Sequence, residues 1–239
     1  HDGFQLTTEH WVRIKILKPQ GVSYADVSVP YYSPTDKDEG QERASEIEGC
    51  SYNMENGKCI KTPMKRESIS FERFNNLYKI LKFSLPAVKE GTIIEYHYKL
   101  YSDYFSHIDN QYKITIPHVF VYNIELRGKD YIQVKQRDSS IHATEREGSG
   151  AGGVSKDFTV SAQETTFISR NLPAIRQDES YCWCPEDYKV QVSFDLQGTQ
   201  FTPNEYKPYS QKWEDVDKQL LKPENTQFGE HLSLTNPFR

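Results

Sequence analysis

The sequence predicts a mainly β protein, a large antiparallel β-sandwich that ends in a short C-terminal helix. Apolar and polar residues alternate in one segment after another, which is the period of a half-buried strand. Aromatic residues make up 13% of the chain, and they favour pleated surfaces. No helical pattern separates the predicted strands, which favours antiparallel pairing over an α/β fold.

The composition narrows the classes of function. A chain of 239 residues is long enough to bury a sizeable core. The formal net charge is −5 and the sequence has no Lys/Arg-rich run, which argues against a nucleic-acid partner. No apolar run is long enough to span a bilayer, so we expect no membrane span.

The first predicted strands form a hairpin. Residues 12–17 alternate, with Val12, Ile14 and Ile16 on one face. Residues 18–21 predict a turn because a proline stands at its second position. Residues 22–29 alternate again, so we expect them to pair with the first strand. The charged stretch 33–46 is typical of an exposed loop.

A second hairpin is predicted around Asn56-Gly57, since Asn-Gly is the strongest short hairpin signal. Its strands are residues 50–54 and 58–62. Two further strands follow at 77–85 and 92–100, joined by a Pro- and Gly-containing connection.

The second half continues the β pattern. Residues 112–127 read as strand, and Pro117 marks an edge, a bulge or a break within them. The remaining predicted strands are 131–137, 158–160, 165–169 and 188–196. The glycine-rich stretch 148–153 lacks the Gly-Lys-Ser/Thr and the helix of a phosphate loop, so it predicts a flexible connection.

The chain closes on a predicted helix. Ser210 can cap it, Pro223 ends it, and four apolar residues fall on one face: Trp213, Val216, Leu220 and Leu221. We therefore assign residues 1–208 to a β-sandwich domain. Residues 209–239 are assigned to a helix and linker that lead toward a downstream domain.

The four cysteines leave several readings open. Cys182 and Cys184 flank a tryptophan. That spacing is compatible with buried or disulfide-paired cysteines, with a metal site, or with a reactive thiol. Cys50 and Cys59 face each other and can form a disulfide if the turn is a four-residue loop over 53–56. If Asn56-Gly57 is a two-residue turn, Cys59 faces Met54 and the bridge fails.

No catalytic, cofactor-binding or metal-binding residue is predicted. The seven histidines stand in no ligand spacing, and no cysteine nucleophile has a matched histidine and aspartate. The aromatic segment 101–112 offers candidate ligand-binding residues for a sugar or a peptide, and local packing of the same rings is the alternative. These candidates are Tyr101, Tyr104, Phe105 and Tyr112.

Five segments occur in an order that resembles a known family. They are RIKILKPQGVSYADVSVPY (13–31), ENGKCIKTPM (55–64), LKFSLPAVKEGTIIEYHYKLYS (81–102), NLPAIRQDESYCWCPEDYKVQVSF (171–194), and KWEDVDKQLL with FGEHL (212–232). Together they resemble the N-terminal domain, formerly of unknown function, of exported transglutaminase-like proteins of Gram-negative bacteria.

The resemblance implies an antiparallel β-sandwich and a periplasmic or extracellular location, with a signal peptide removed before His1. It implies that any Cys-His-Asp machinery of the papain type lies beyond Arg239. The expected function is therefore that of a non-catalytic accessory module. Such a module supports or gates the downstream transglutaminase-like domain, or binds its peptide substrate. The alternative is a stand-alone cell-surface module that binds glycan or peptide.

Overall fold

A computed structural model describes residues 4–35, 40–104, 107–109, 112–147, 154–175, 183–210, 212–214 and 217. The chain is mainly β, with four antiparallel sheets, which confirms the predicted fold class. It divides into two compact units at residues 105/106. Residues 1–208, predicted to be one β-sandwich domain, include strands of both units, and that domain assignment stays a prediction.

The first unit contains two sheets, built from β1 (Leu6–Lys15), β2 (Asp26–Tyr32), β3 (Glu42–Glu55), β4 (Lys58–Pro63), β5 (Ile69–Arg73), β6 (Tyr78–Ser84) and β7 (Ile93–Ser102). One sheet has the strand order β1-β7-β3-β4 and the other β2-β6-β5. The last strand of the unit, β7, therefore lies between its first strand and β3.

The core of this unit lies between the two sheets. Leu81 and Phe83 of β6 pack with Tyr98 of β7, and all three are buried. The rings of Phe83 and Tyr96 meet edge to face with centroids 5.4 Å apart. Burial of each such side chain contributes about 2 kcal/mol. Even-numbered residues of β7 thus face the core, and odd-numbered ones face outward.

Two local predictions in this unit are wrong. The first two strands form no hairpin, because β1 pairs with β7 and β2 pairs with β6. A 3-10 segment, Pro19–Ala25, occupies half of the second predicted strand and carries the chain from one sheet to the other. The predicted loop at 33–46 is strand from Glu42 onward, since charged side chains alternate there on a solvent-facing side.

The hairpin around Asn56-Gly57 is confirmed. Glu55 pairs with Lys58, so the turn has two residues, and both have positive φ (50° for Asn56 and 79° for Gly57). Such φ values are the ones that Asn-Gly tolerates and that match strand twist.

The second unit contains the remaining strands, β8 (His107–Asp109), β9 (Lys113–Pro117), β10 (Phe120–Arg127), β11 (Gln133–Glu147), β12 (Val154–Ile168), β13 (Gln191–Thr202) and β14 (Glu205–Pro208). One sheet is β11-β12-β9, and the other is β10-β13-β14 with β8 also on β13. Phe167 and Phe194 join the sheets edge to face at 5.9 Å. Pro117 ends β9, as its missing N–H predicts.

Only part of the predicted C-terminal helix lies among the described residues. Trp213, Glu214 and Asp217 are helical. The assignment of residues 209–239 to a helix and linker stays a prediction. Across the described ranges, no helix is long and apolar enough to cross a membrane.

Candidate binding groove

The first unit has an open side where both sheets end in an unpaired edge. β4 pairs only with residues 50–55 of β3, so residues 42–49 have a single partner strand, β7, among the described strands. On the other sheet, β6 is the one described strand with which β5 pairs. A groove of about 830 Å³ lies at these two edges. Its volume falls within the usual range for ligand sites.

The floor of the groove is apolar. Its side chains pack against the core between the sheets, and they are Ala44, Ile47, Met64 and Ile69. Phe71 of β5 continues this floor and is 52% exposed, although it lies on the core-facing side of its strand. In the described part of the opposite sheet, no strand covers the Phe71 side chain.

The chain opens this side by ending β4 early. Pro63 is the last residue of β4, and Met64 N donates a 2.8 Å hydrogen bond to Gly49 O. A short 3-10 turn, Arg66–Ser68, then redirects the chain into β5. Gly49 leaves room at this crossing for Leu85, because a Cβ at position 49 would lie 2.5 Å from Leu85 Cδ2 and that side chain would have to shift.

One wall of the groove carries Cys50, Tyr52 and Lys61. The hydrogen bond between the Tyr52 hydroxyl and the Cys50 sulfur, aided by desolvation, raises the pKa of Tyr52. Lys61 Nζ lies 5.7 Å from the centre of the Tyr52 ring. Tyr52 is therefore a neutral phenol at neutral pH, and the thiol beside it is buried.

The charges along the groove are unequally paired. Glu95 is neutralised by Arg13, whose Nη2 lies 3.0 Å from its Oε2. Lys61 and Arg66 form no ion pair with any residue that the structure describes, and neither does Glu48. The groove thus presents one cation, Arg66, and one carboxylate, Glu48, that lack an ion-pair partner among the described residues, whereas Lys61 lies within the field of Glu95.

An exposed tryptophan stands at the groove's outer margin. Trp11 is 67% exposed and its ring stacks on His97 with centroids 4.0 Å apart. His97 Nε2 lies 2.7 Å from Glu9 Oε1. Lys99 binds Glu46 at 2.6 Å on the same sheet face, and this contact holds the pKa of the Glu46 carboxyl below its ordinary value.

The four predicted ligand-binding aromatics are not brought together within one unit. The Tyr101 hydroxyl donates to Glu46 Oε1 at 2.9 Å, and the Tyr104 hydroxyl donates to Gly40 O at 2.8 Å. Both belong to the first unit and already have polar partners there. Tyr112 is 72% exposed in the second unit, and Phe105 lies outside the described residues. Their role in binding stays a prediction.

The cysteines do not form the predicted disulfide. Register places Met54 opposite Cys59 and Pro63 opposite Cys50, and both thiols are free. This is the two-residue-turn alternative, in which the two sulfurs are too far along the strand to bond. Cys184 is exposed and free, whereas Cys182 and the glycine-rich stretch 148–153 lie outside the described residues.

Within the described ranges, no group of three or more His, Cys, Asp or Glu residues is arranged to hold a metal ion. The groove itself was not predicted from the sequence. The signal that could have predicted it is the unequal length of the two hairpin strands. β4 ends at a proline, whereas β3 begins eight residues before the first residue that pairs with β4.

Comparisons with known proteins place the chain in a family. The family model described as "Domain of Unknown Function with solved-structure structure (DUF3857)" matches residues 4–176. No curated protein matches the chain. A solved structure of a "putative protease" from Parabacteroides distasonis aligns with 8% identity and a TM-score of 0.46. The alignment covers 81% of this chain but 37% of that one. Because the family model matches well over half of its residues, the chain belongs to the DUF3857 family.

Proposed function

We propose that this chain is a non-catalytic binding module of a larger exported protein, and that it holds a peptide segment in the groove of the first unit. The observation that carries the proposal is the open side of the sandwich. There an apolar floor, including the half-exposed Phe71, lies beside unpaired strand edges. Natural proteins rarely leave such edges long and bare without a use or a guard.

The larger protein is proposed to be transglutaminase-like, with its catalytic domain downstream of Arg239. The support is the ordered resemblance of five sequence segments together with membership of the DUF3857 family. On this proposal the module supports or gates the downstream domain, or presents its peptide substrate. The periplasmic or extracellular location is proposed on the same resemblance.

The proposal assigns no chemical step to the groove. A nucleophilic cysteine needs a base or a cation that favours its thiolate. Cys50 is buried, its hydrogen-bond partner is the Tyr52 phenol, and the Lys61 ammonium lies near both. Limited access is typical of a structural cysteine, and the proposal gives Cys50 that role.

The test is selection of peptides from a displayed random library on the 239-residue chain. Phe71→Ser serves as the counter-target, and Phe74→Ser serves as a matched control because Phe74 is exposed outside the groove lining. We expect enriched peptides to bind the wild type and Phe74→Ser equally, and Phe71→Ser about tenfold more weakly. If nothing enriches, or if both variants bind alike, the groove is not a peptide site.

Glycan binding is a second candidate function, favoured by the exposed ring of Trp11 stacked on His97. A flat aromatic face amid hydrogen-bonding side chains suits a sugar ring. Binding on a glycan array that Trp11→Ala abolishes, while Phe71→Ser leaves it unchanged, would favour this function over peptide binding.

A further inference from the structure

The edge of β5 presents free backbone groups to the groove. Phe74 N donates a 3.0 Å hydrogen bond to Tyr78 O, so Phe74 points its backbone toward β6. Residues two apart in an antiparallel ladder point their N–H and C=O groups the same way. Ser70 and Glu72 therefore pair with β6, and the N–H and C=O of Phe71 point to the free edge.

The edge of β3 is less suited to accept a strand. Its register with β7 shifts between Ser45 and Glu48, and Glu46 within the shift has a φ of 51°. A bulge of this kind interrupts the even row of donors and acceptors that an added strand needs. The register of β5 with β6 is continuous from Ile69 to Arg73.

Side chains along β5 favour a ligand with alternating apolar residues. Ile69 and Phe71 are two apart and line the groove. In an added strand, every second side chain would face the same way. Those side chains would cover Phe71 and pack on Ile47 and Met64, which also line the groove.

Charge at the start of β5 favours an acidic residue in the ligand. Arg66 precedes β5 by three residues, lines the groove and forms no ion pair with a described residue. Lys61 also lines the groove, but it lies on the outer face of the first sheet beside Tyr52 and near Glu95. Among the described residues that line the groove, the carboxylate without an ion-pair partner is Glu48, which belongs to β3, the edge that carries the bulge.

We propose that an extended peptide segment binds as an added strand on the free edge of β5. Its apolar side chains alternate into the groove, and it carries a carboxylate at the end that meets Arg66. This rests on the proposed function and specifies the ligand of the same groove, a mode known as β-strand addition.

The probes are synthetic copies of the peptides selected on the chain, each made with one backbone N-methyl group at successive positions. An N-methyl group removes a donor and blocks a strand edge without altering the protein. We expect an affinity loss of about tenfold or more at every second residue and little change between. Uniform tolerance, or loss without a two-residue period, overturns strand addition.

Charge reversal tests the orientation. In Arg66→Glu, we expect affinity to fall about tenfold for peptides with an acidic residue at that end, and to recover when the residue is changed to lysine. Lys58→Glu makes the same reversal outside the groove lining and should leave both peptides unchanged. Equal effects of the two variants would remove Arg66 from the site.

The outcomes separate this inference from the proposed function. If Phe71→Ser weakens binding but N-methylation shows no period, the groove binds peptide by another mode and only the inference fails. If no peptide binds, both fail. Self-association of the chain that Phe71→Ser abolishes, measured by sedimentation, would assign the edge to a second copy and overturn the inference.

Discussion

Thr92 Oγ1 donates a 2.6 Å hydrogen bond to Asn53 Oδ1, and both side chains are buried in the first unit. Asn53 Nδ2 donates in turn to Ala87 O at 2.8 Å, and Thr92 Oγ1 accepts from Lys89 N at 2.9 Å. This network ties β3 to the connection between β6 and β7, where Ala87 has a φ of 54°.

We expect Asn53→Ala to lower the free energy of unfolding by about 1–3 kcal/mol, because it leaves the buried Thr92 hydroxyl without its acceptor. Urea unfolding followed by fluorescence measures the change. The exposed Asn123 provides the control, since Asn123→Ala should cost less than about 0.5 kcal/mol. Equal stabilities of the two variants would mean that the network contributes nothing.

Gly49→Ala should destabilise the first unit by about 1–3 kcal/mol, because the new Cβ would overlap the buried Leu85 side chain. Gly21→Ala is the matched control, since its nearest contact there would be an ordinary 3.4 Å to Ile16 Cγ2. Thermal unfolding of both variants decides the point. A smaller loss for Gly49→Ala than for Gly21→Ala would show that Leu85 moves aside freely.

The hairpin register predicts two very different thiols. Cys59 is exposed and Cys50 is buried, so an alkylating reagent should modify Cys59 rapidly and Cys50 only on unfolding. Peptide mapping after timed alkylation reads both sites at once, with Cys59→Ser as the control for assignment. A disulfide-linked peptide that joins Cys50 to Cys59 in a non-reduced digest would contradict the register.

The ion pairs of Glu164 should make a pH-dependent contribution to the stability of the second unit. Arg137 and Lys113 contact its carboxylate at 3.0 Å and 3.1 Å, and these contacts, Arg137 first, hold the pKa of Glu164 below its ordinary value of 4.5. A carboxyl with a lowered folded-state pKa stabilises the fold above its unfolded pKa. That contribution is lost as pH falls through the folded value.

We therefore expect Glu164→Gln to have a lower melting temperature than the wild type at neutral pH. The difference should shrink at pH values below about 4.5 and vanish in stronger acid. The exposed Glu125 gives the control variant Glu125→Gln, which should track the wild type throughout. A difference for Glu164→Gln that is constant with pH would assign its effect to packing rather than to charge.

Short-range features of the fold were predictable because their causes are local. The turn at Asn56-Gly57 depends only on the positive φ values that these two residues tolerate. The strand that ends at Pro117 ends there because proline has no backbone N–H. The alternation of β6 and β7 is likewise a property of each segment alone.

Which strands pair with each other was not predictable in the same way. β1 and β2 both alternate and are separated by a turn signal, which fits a hairpin, yet each pairs with a strand far along the chain. β5 was missed because five residues with two apolar side chains give a weak pattern. The predicted segments 158–160 and 165–169 belong to one strand, β12.

The groove could not be predicted from residue patterns, because it arises where a strand is lacking rather than where residues are present. Ile69 and Phe71 read as ordinary core residues. Only the early end of β4 beside the longer β3 leaves them uncovered.

The central place of β7 sets an order of events during synthesis. β7 pairs with β1 over residues as far apart as Leu6 and Ser102. This ladder can therefore form only after most of the first unit has been synthesised. Contacts so distant along the chain slow folding. A chain that has emerged only as far as β6 can already pair β2 and β5 with β6, and β3 with β4, whereas β1 has no partner in the first sheet until β7 arrives. β11 and β12 form fifteen residue pairs and follow each other in the sequence. Their pairing can therefore begin as soon as β12 leaves the ribosome.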